Sequence, residues 1–165
     1  NLNAVVLCRK LGLPLDGAGG RGSEVTIATP ETEYEKHVRE LCDGAQIKFH
    51  GEVSDEQKIE LMQNCRGLIY ATNHIEITSH KVQEAMLCGA PVIIPNRGGL
   101  PEIVTHGIDG YLCLSESEYI QAIKDIDKLE PAKTREQMAQ KYNPRSVAEG
   151  YIKLFEQVCG GLRWK

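Results

Sequence analysis

The sequence predicts an α/β domain in which a parallel sheet carries helices on both faces. Three observations support this. Short apolar runs alternate with amphipathic stretches through the middle of the chain, an order that builds parallel sheets from crossover units. Asn73 to Gly110 reads as a loop turning into a helix, then a strand, Pro91 to Pro95, then a glycine turn. After Leu114 the chain is wholly helical in pattern.

Leu2 to Leu11 reads as an amphipathic helix, with Leu2, Val5, Val6 and Leu11 on a shared face. Leu13-Pro14-Leu15 reads as a strand running into a glycine turn at Gly17 to Gly20, and Asp16 stands out there as a charge beside a buried strand. Arg21 to Pro30 fits either a short strand, Glu24 to Thr29, or a stretch of inserted loop. Glu31 to Cys42 is a charged helix. Gln46 to His50 is a strand ended by Gly51. Ser54-Asp55-Glu56-Gln57 has the pattern of a capping box, and its helix runs to Cys65. Gly67 to Thr72 is a buried strand. A helix from Ser79 to Cys88 closes at Gly89. Pro91 to Pro95 is a strand, Leu100 to Thr105 a short helix, and Tyr111 to Leu114 the last strand. Helices follow over Glu116 to Leu129, Ala132 to Tyr142 and Ser146 to Val158.

With 165 residues the chain suits one domain with a full core. A formal net charge of −4 offers no basic surface to nucleic acid. No apolar run reaches the roughly 20 residues that span a membrane, and no secretory signal opens the chain. Cysteines 8, 42, 65, 88, 113 and 159 form no C-x-x-C and no Cys/His cluster, so they read as buried free thiols in a reducing compartment, with no metal site.

The stretch NHIEITSHKVQEAMLCGAPVIIPNRGGLPEIVTHGIDG, Asn73 to Gly110, carries the chemistry. Glu76 and Glu84 stand eight positions apart, at the two ends of a loop-to-helix joint. There the carboxyl end of a strand meets the amino end of a helix, the crevice where open α/β sheets bind nucleotides. The helix start at Thr78, Ser79 and His80 offers unpaired N–H groups to a phosphate. A simple N-cap by Thr78 or Ser79 is compatible with either reading. Lys81 reads as a solvated lysine near a helix start, and His74 as an incidental loop histidine. A glycine tract at Gly17 to Gly20 is by itself a weak phosphate signal.

This stretch resembles the donor-binding half of retaining glycosyltransferases of group 1 (family 4), which have the GT-B fold. The family pattern is E-x-F-G-x-x-x-x-E-A-M-x-x-G-x-P-V-I followed by G-G-x-P-E-x-V-x-x-G-x-x-G-x-L. Glu76, Glu84-Ala85-Met86, Gly89, Pro91-Val92-Ile93, Gly98-Gly99, Pro101-Glu102, Val104, Gly107, Gly110 and Leu112 match it in register. The chain departs at Ile77-Thr78-Ser79, where the family has a small residue, an aromatic and a glycine.

The resemblance implies a Rossmann-like sheet forming the C-terminal half of a GT-B fold. Residues 1–165 would be a single nucleotide-sugar-binding domain, lacking its first strand and an N-terminal acceptor domain. It implies that Glu84 binds the ribose hydroxyls, two carboxylate oxygens accepting from a vicinal diol. Glu76 would face the donor sugar, orienting it and stabilising positive charge without covalent attack. Backbone N–H groups of Thr78, Ser79 and His80 would hold the diphosphate, and Gly51 and Val53 would read the base edge. Asp125-Ile126-Asp127 matches the D-x-D of metal-dependent glycosyltransferases but falls within a helix, so it reads as a solvated face. No metal and no other cofactor is expected. The implied partners are a nucleotide sugar donor and an acceptor sugar or lipid-linked glycan held by the N-terminal domain. The implied location is cytoplasmic, peripheral to a membrane in the full-length protein, with the isolated domain inactive. Two other readings share the fold: a UDP-sugar 2-epimerase-like enzyme, and a non-catalytic nucleotide-sugar-binding module.

Overall fold

The computed structural model describes residues 2–17, 36–37 and 40–163. Most of the glycine turn at Gly17 to Gly20, the segment Arg21 to Pro30 and most of the helix expected over Glu31 to Cys42 lie outside the described residues. Of that helix, residues 36, 37, 40 and 41 are helical.

In chain order the elements are α1 (Leu2–Leu11), β1 (Leu15–Gly17), β2 (Ile47–Phe49), α2 (Asp55–Asn64), β3 (Leu68–Ile69), α3 (His80–Leu87), β4 (Val92–Pro95), α4 (Leu100–Ile103), β5 (Gly110–Cys113), α5 (Glu116–Asp125), a 3-10 turn (Ile126–Lys128), α6 (Pro131–Lys141) and α7 (Pro144–Cys159). The strands pair in two parallel groups, β1 with β2 and β3-β4-β5. Parallel strands linked through helices give the expected α/β fold class.

β4 explains the layering. All four of its residues are buried. Val92 and Ile94 join Val82, Ala85 and Met86 of α3, Leu100 and Ile103 of α4 and Met138 of α6. Ile93 points the other way, into a cluster with Leu7 of α1 and Tyr119, Ala122 and Ile123 of α5. Alternate residues of one strand therefore feed two cores, which is why the run lacks polar positions.

α1 spans the two strand groups. Leu7 packs toward β4, whereas Val5 and Cys8 pack with Ile47 of β2 and partly buried Leu15 and Ile69. The apolar face differs from the expected one: Val6 is 49% exposed, and Ala4, Val5, Leu7 and Cys8 are the buried set. Two cores lie under the helix, so its buried arc is set by positions 4, 7, 8 and 11 with 5 at its edge.

β1 starts at Leu15, later than expected, because Pro14 has no N–H to give a ladder. Asp16 then falls on the solvent side, where its Oδ1 lies 2.8 Å from Nε2 of His50. The stretch Gly67 to Thr72 holds a strand of only Leu68 and Ile69, half-buried instead of buried.

The capping box of α2 is complete: Ser54 accepts from the Gln57 N–H, and the Gln57 side chain accepts from the Ser54 N–H. α6 packs on α3 through Thr134 and Met138. α7 has no fully buried residue along its length. Of the six free cysteines only Cys8 and Cys113 are buried, and Cys65 and Cys159 are exposed, which corrects the expectation of buried thiols. Burial pushes the Cys113 thiol up to about 12.

Candidate functional site

The expected site residues lie on the loops that leave β2 and β3 and on the helices that follow. Gly51 ends the β2 strand with φ +69°, a conformation that disfavours any other residue. With half-buried Val53 it leads into α2. Glu76 lies in the loop after β3 and is half-buried. Glu84 lies in the second turn of α3, its side chain 42% exposed.

The loop carrying Glu76 is set by the glycine turn after β4. The Gly99 N–H donates to the Glu76 carbonyl, 2.8 Å. A Cβ on Gly98 would stand 2.3 Å from that carbonyl oxygen, and one on Gly99 would stand 1.8 Å from the carbonyl oxygen of Ile77. The paired glycines are thus required by close backbone approach. Arg97 adds a bond from Nη1 to the Asn73 carbonyl, 3.4 Å. Two side chains of the loop stay in solvent meanwhile: Ile75 is 80% and Ile77 91% exposed.

Each carboxylate has a partner that the sequence reading missed. The Tyr70 hydroxyl donates to Glu76 Oε1 at 2.6 Å. Burial first, and Glu76 second, hold the Tyr70 phenol up at about 12, so it keeps its proton to donate. Lys58, one turn into α2, donates to Glu84 from 3.3 Å and pairs with Asp55 at 3.0 Å. Both partners, Asp55 before Glu84, raise the Lys58 ammonium above its usual range. The sequence signals were faint: an aromatic with a polar tip closing a strand, and an Asp–Lys pair three apart at a helix start.

The amino end of α3 lacks a side-chain cap. Ser79 occupies the N-cap position without a cap bond. Its side chain is buried and is the second polar neighbour of the Tyr70 hydroxyl. Thr78 Oγ1 accepts from Gln83 Nε2 at 3.1 Å. Both hydroxyls therefore have protein partners, and neither caps the N–H groups of the helix start. His80 and Lys81 are exposed.

Asp125 and Asp127 belong elsewhere. Asp125 accepts from Gln121 and pairs with Lys128, and Asp127 accepts both donors of Arg66. Ile126 between them is buried in the core. The D-x-D spacing here is the end of α5 turning over a core residue.

Comparison with known proteins identifies the family. Residues 25–145 match the family model described as "Glycosyl transferases group 1". The chain is 30% identical over 132 residues to a probable sucrose-phosphate synthase of Thermosipho melanesiensis, covering 76% of this chain and 31% of that protein. It is 30% identical over 128 residues to the human alpha-1,3/1,6-mannosyltransferase ALG2, covering 71% of this chain and 30% of that one. It spans about a third of the length of these relatives. Among solved structures, a sucrose-phosphate synthase from Thermosynechococcus elongatus superposes with a TM-score of 0.68 at 21% identity, over 97% of this chain and 43% of that one. Anabaena Alr3699/HepE, solved in complex with UDP-glucose, gives 0.66 at 20% identity, over 94% of this chain and 53% of that one.

Proposed function

This chain belongs to the glycosyl transferases of group 1, and from that premise we propose that it is the donor-binding domain of a retaining hexosyltransferase using a nucleotide-diphosphate sugar. The observation that carries the reading is the joint at α3. A helix start without a side-chain cap is flanked by two carboxylates, each held by its own donor.

In this reading the diphosphate lies on the N–H groups at Thr78 to His80, where the helix dipole favours negative charge. Glu84 accepts from the ribose hydroxyls, and the backbone at Gly51 and Val53 meets the base. Glu76 faces the sugar. The bond from the anomeric carbon to the diphosphate breaks as the acceptor oxygen bonds to the same face. The acceptor's proton passes to the leaving phosphate. Glu76 stabilises the cationic anomeric centre without bonding to it. The acceptor, a sugar or lipid-linked glycan, sits on a further domain, so the chain alone binds donor and transfers little. Among the described residues no helix is long and apolar enough to cross a membrane, and the reading puts the enzyme in the cytoplasm, peripheral to a membrane.

Calorimetric titration of the chain with UDP, GDP and ADP tests this. One nucleotide should bind, and Glu84→Ala should weaken it by about 1.5–3 kcal/mol, the worth of a charged hydrogen bond. Equal affinity in both proteins would remove the ribose role. The reading also gives phosphate binding to backbone and dipole, so a chelator should leave the affinity unchanged. A loss beyond about tenfold, roughly 1.4 kcal/mol, would require a metal.

A further inference from the structure

We propose that Lys58 is a positioning residue for the nucleoside: it holds the Glu84 carboxylate in the orientation that selects a ribonucleotide over its 2′-deoxy counterpart. This rests on the reading of Glu84 given above and adds a residue on a different element to it.

The geometry is that of a tether. Lys58 reaches Glu84 across two helices, from 3.3 Å to each carboxylate oxygen. The same ammonium is fixed from behind by Asp55, 3.0 Å away in the first turn of its own helix. Lys58 is also 34% exposed at its side chain, the least of the three charges, against 42% for Glu84 and 85% for Asp55. It is therefore the inner member of an Asp–Lys–Glu row. A lysine ammonium has three donors and no acceptor, so two carboxylates can share it without competing for one proton.

Glu84 has few other restraints. It lies on the solvent side of α3, whose buried residues are Val82, Ala85 and Met86. A glutamate there samples several rotamers, and ordering it on binding costs free energy. An ammonium that already fixes the carboxylate removes part of that cost. Each carboxylate oxygen retains a second lone pair, so the Lys58 bonds leave acceptor capacity for a diol. The row also lies directly beyond the Gly51–Val53 loop, since α2 opens two residues past Val53. A nucleoside bound between that loop and α3 would place its ribose at Glu84.

Lys58 carries a positive charge, so removing it also weakens any anionic ligand by long-range attraction. The discriminating readout is thus a ratio of affinities, for UDP and 2′-deoxy-UDP (or the corresponding pair for whichever base binds). General attraction acts on both ligands alike and cancels.

The parent chain should bind the ribonucleotide about tenfold or more tightly than the deoxy form, as expected for a lost charged hydrogen bond. Lys58→Met should bring the ratio to about threefold or less, and Lys58→Arg should restore most of it, since the tether needs a cation. In Lys58→Met/Glu84→Ala the ratio should equal that of Glu84→Ala alone, because the tether has nothing left to hold. Melting curves identical in m value across the set show that the fold is kept. A ratio unchanged by Lys58→Met, while Glu84→Ala abolishes it, overturns the role of Lys58 and leaves the ribose reading standing. A ratio near one in the parent, or one unaffected by Glu84→Ala, overturns the ribose reading, and this proposal with it.

Discussion

Among the described residues the two strand groups are packed differently. β4 is buried on both faces, between a cluster of ten buried residues on one side and nine on the other. Among the described residues β2 has one buried residue, Ile47, in a cluster of three. The candidate site takes its carboxylates from the densely packed side and its candidate base loop from the sparse one. Positional precision is thus concentrated where the sugar and ribose would lie, and adaptability where the base would lie. That division suits an enzyme class in which the reacting centre must be held more tightly than the recognition handle.

The same substitution on both sides measures this difference, and it has the largest expected effects. Ile94→Ala should cost about 4 kcal/mol of unfolding free energy, because a fully enclosed cavity cannot collapse. Ile47→Ala should cost about 2 kcal/mol, since its surroundings can close in. Urea melts of both variants give the comparison, and equal losses would show that the two halves are packed alike.

A smaller loss is expected at the join between the dense core and the site. Gly99→Ala puts a methyl against the Ile77 carbonyl, so the loop must move. About 2 kcal/mol of stability should go, typical for overpacking. Nucleotide-sugar affinity should fall with it, while affinity for bare nucleotide diphosphate changes less. Loss of stability without any change at the sugar would dissociate the turn from the site.

The smallest effect is set at the sparse side. α2 has no fully buried side chain; partly buried Met62 packs on the core, and the capping box and the Lys58 contact add to that anchoring. Ser54→Ala should cost about 1 kcal/mol, as loss of an N-cap does. Hydrogen exchange should quicken at α2 before it does at α3. Uniform quickening would mean that the helix is anchored by something else.

The dense half was legible in the sequence and the sparse half less so, for a physical reason. Pro91 to Pro95 and Ser79 to Gly89 announce themselves because burial forces their composition. At β3 the composition looked like a buried strand, but only Leu68 and Ile69 make a ladder, and pairing is a tertiary property that a run of apolar letters does not show. Val6 failed for a similar reason, since a helix lying over two cores has no single clean stripe. Within the candidate site, Glu76 and Glu84 stood out by their spacing and by the resemblance. Their partners, Tyr70 and Lys58, did not, because each contact crosses elements and leaves no periodic trace. Asp16 looked misplaced until His50 supplied its partner from the next strand.

The paired glycines after β4 also bear on how this loop can change over generations. They grip the main chain of residues 76 and 77 and leave the side chains of Ile75 and Ile77 in water. Substitutions at Ile75 and Ile77 are therefore tolerated by the fold, so long as the backbone path survives. Substitutions at the two glycines are not. Variety is open to the two isoleucine side chains and closed at the two glycines. A loop constrained in this way can exchange its exposed side chains one at a time while Glu76 keeps its place.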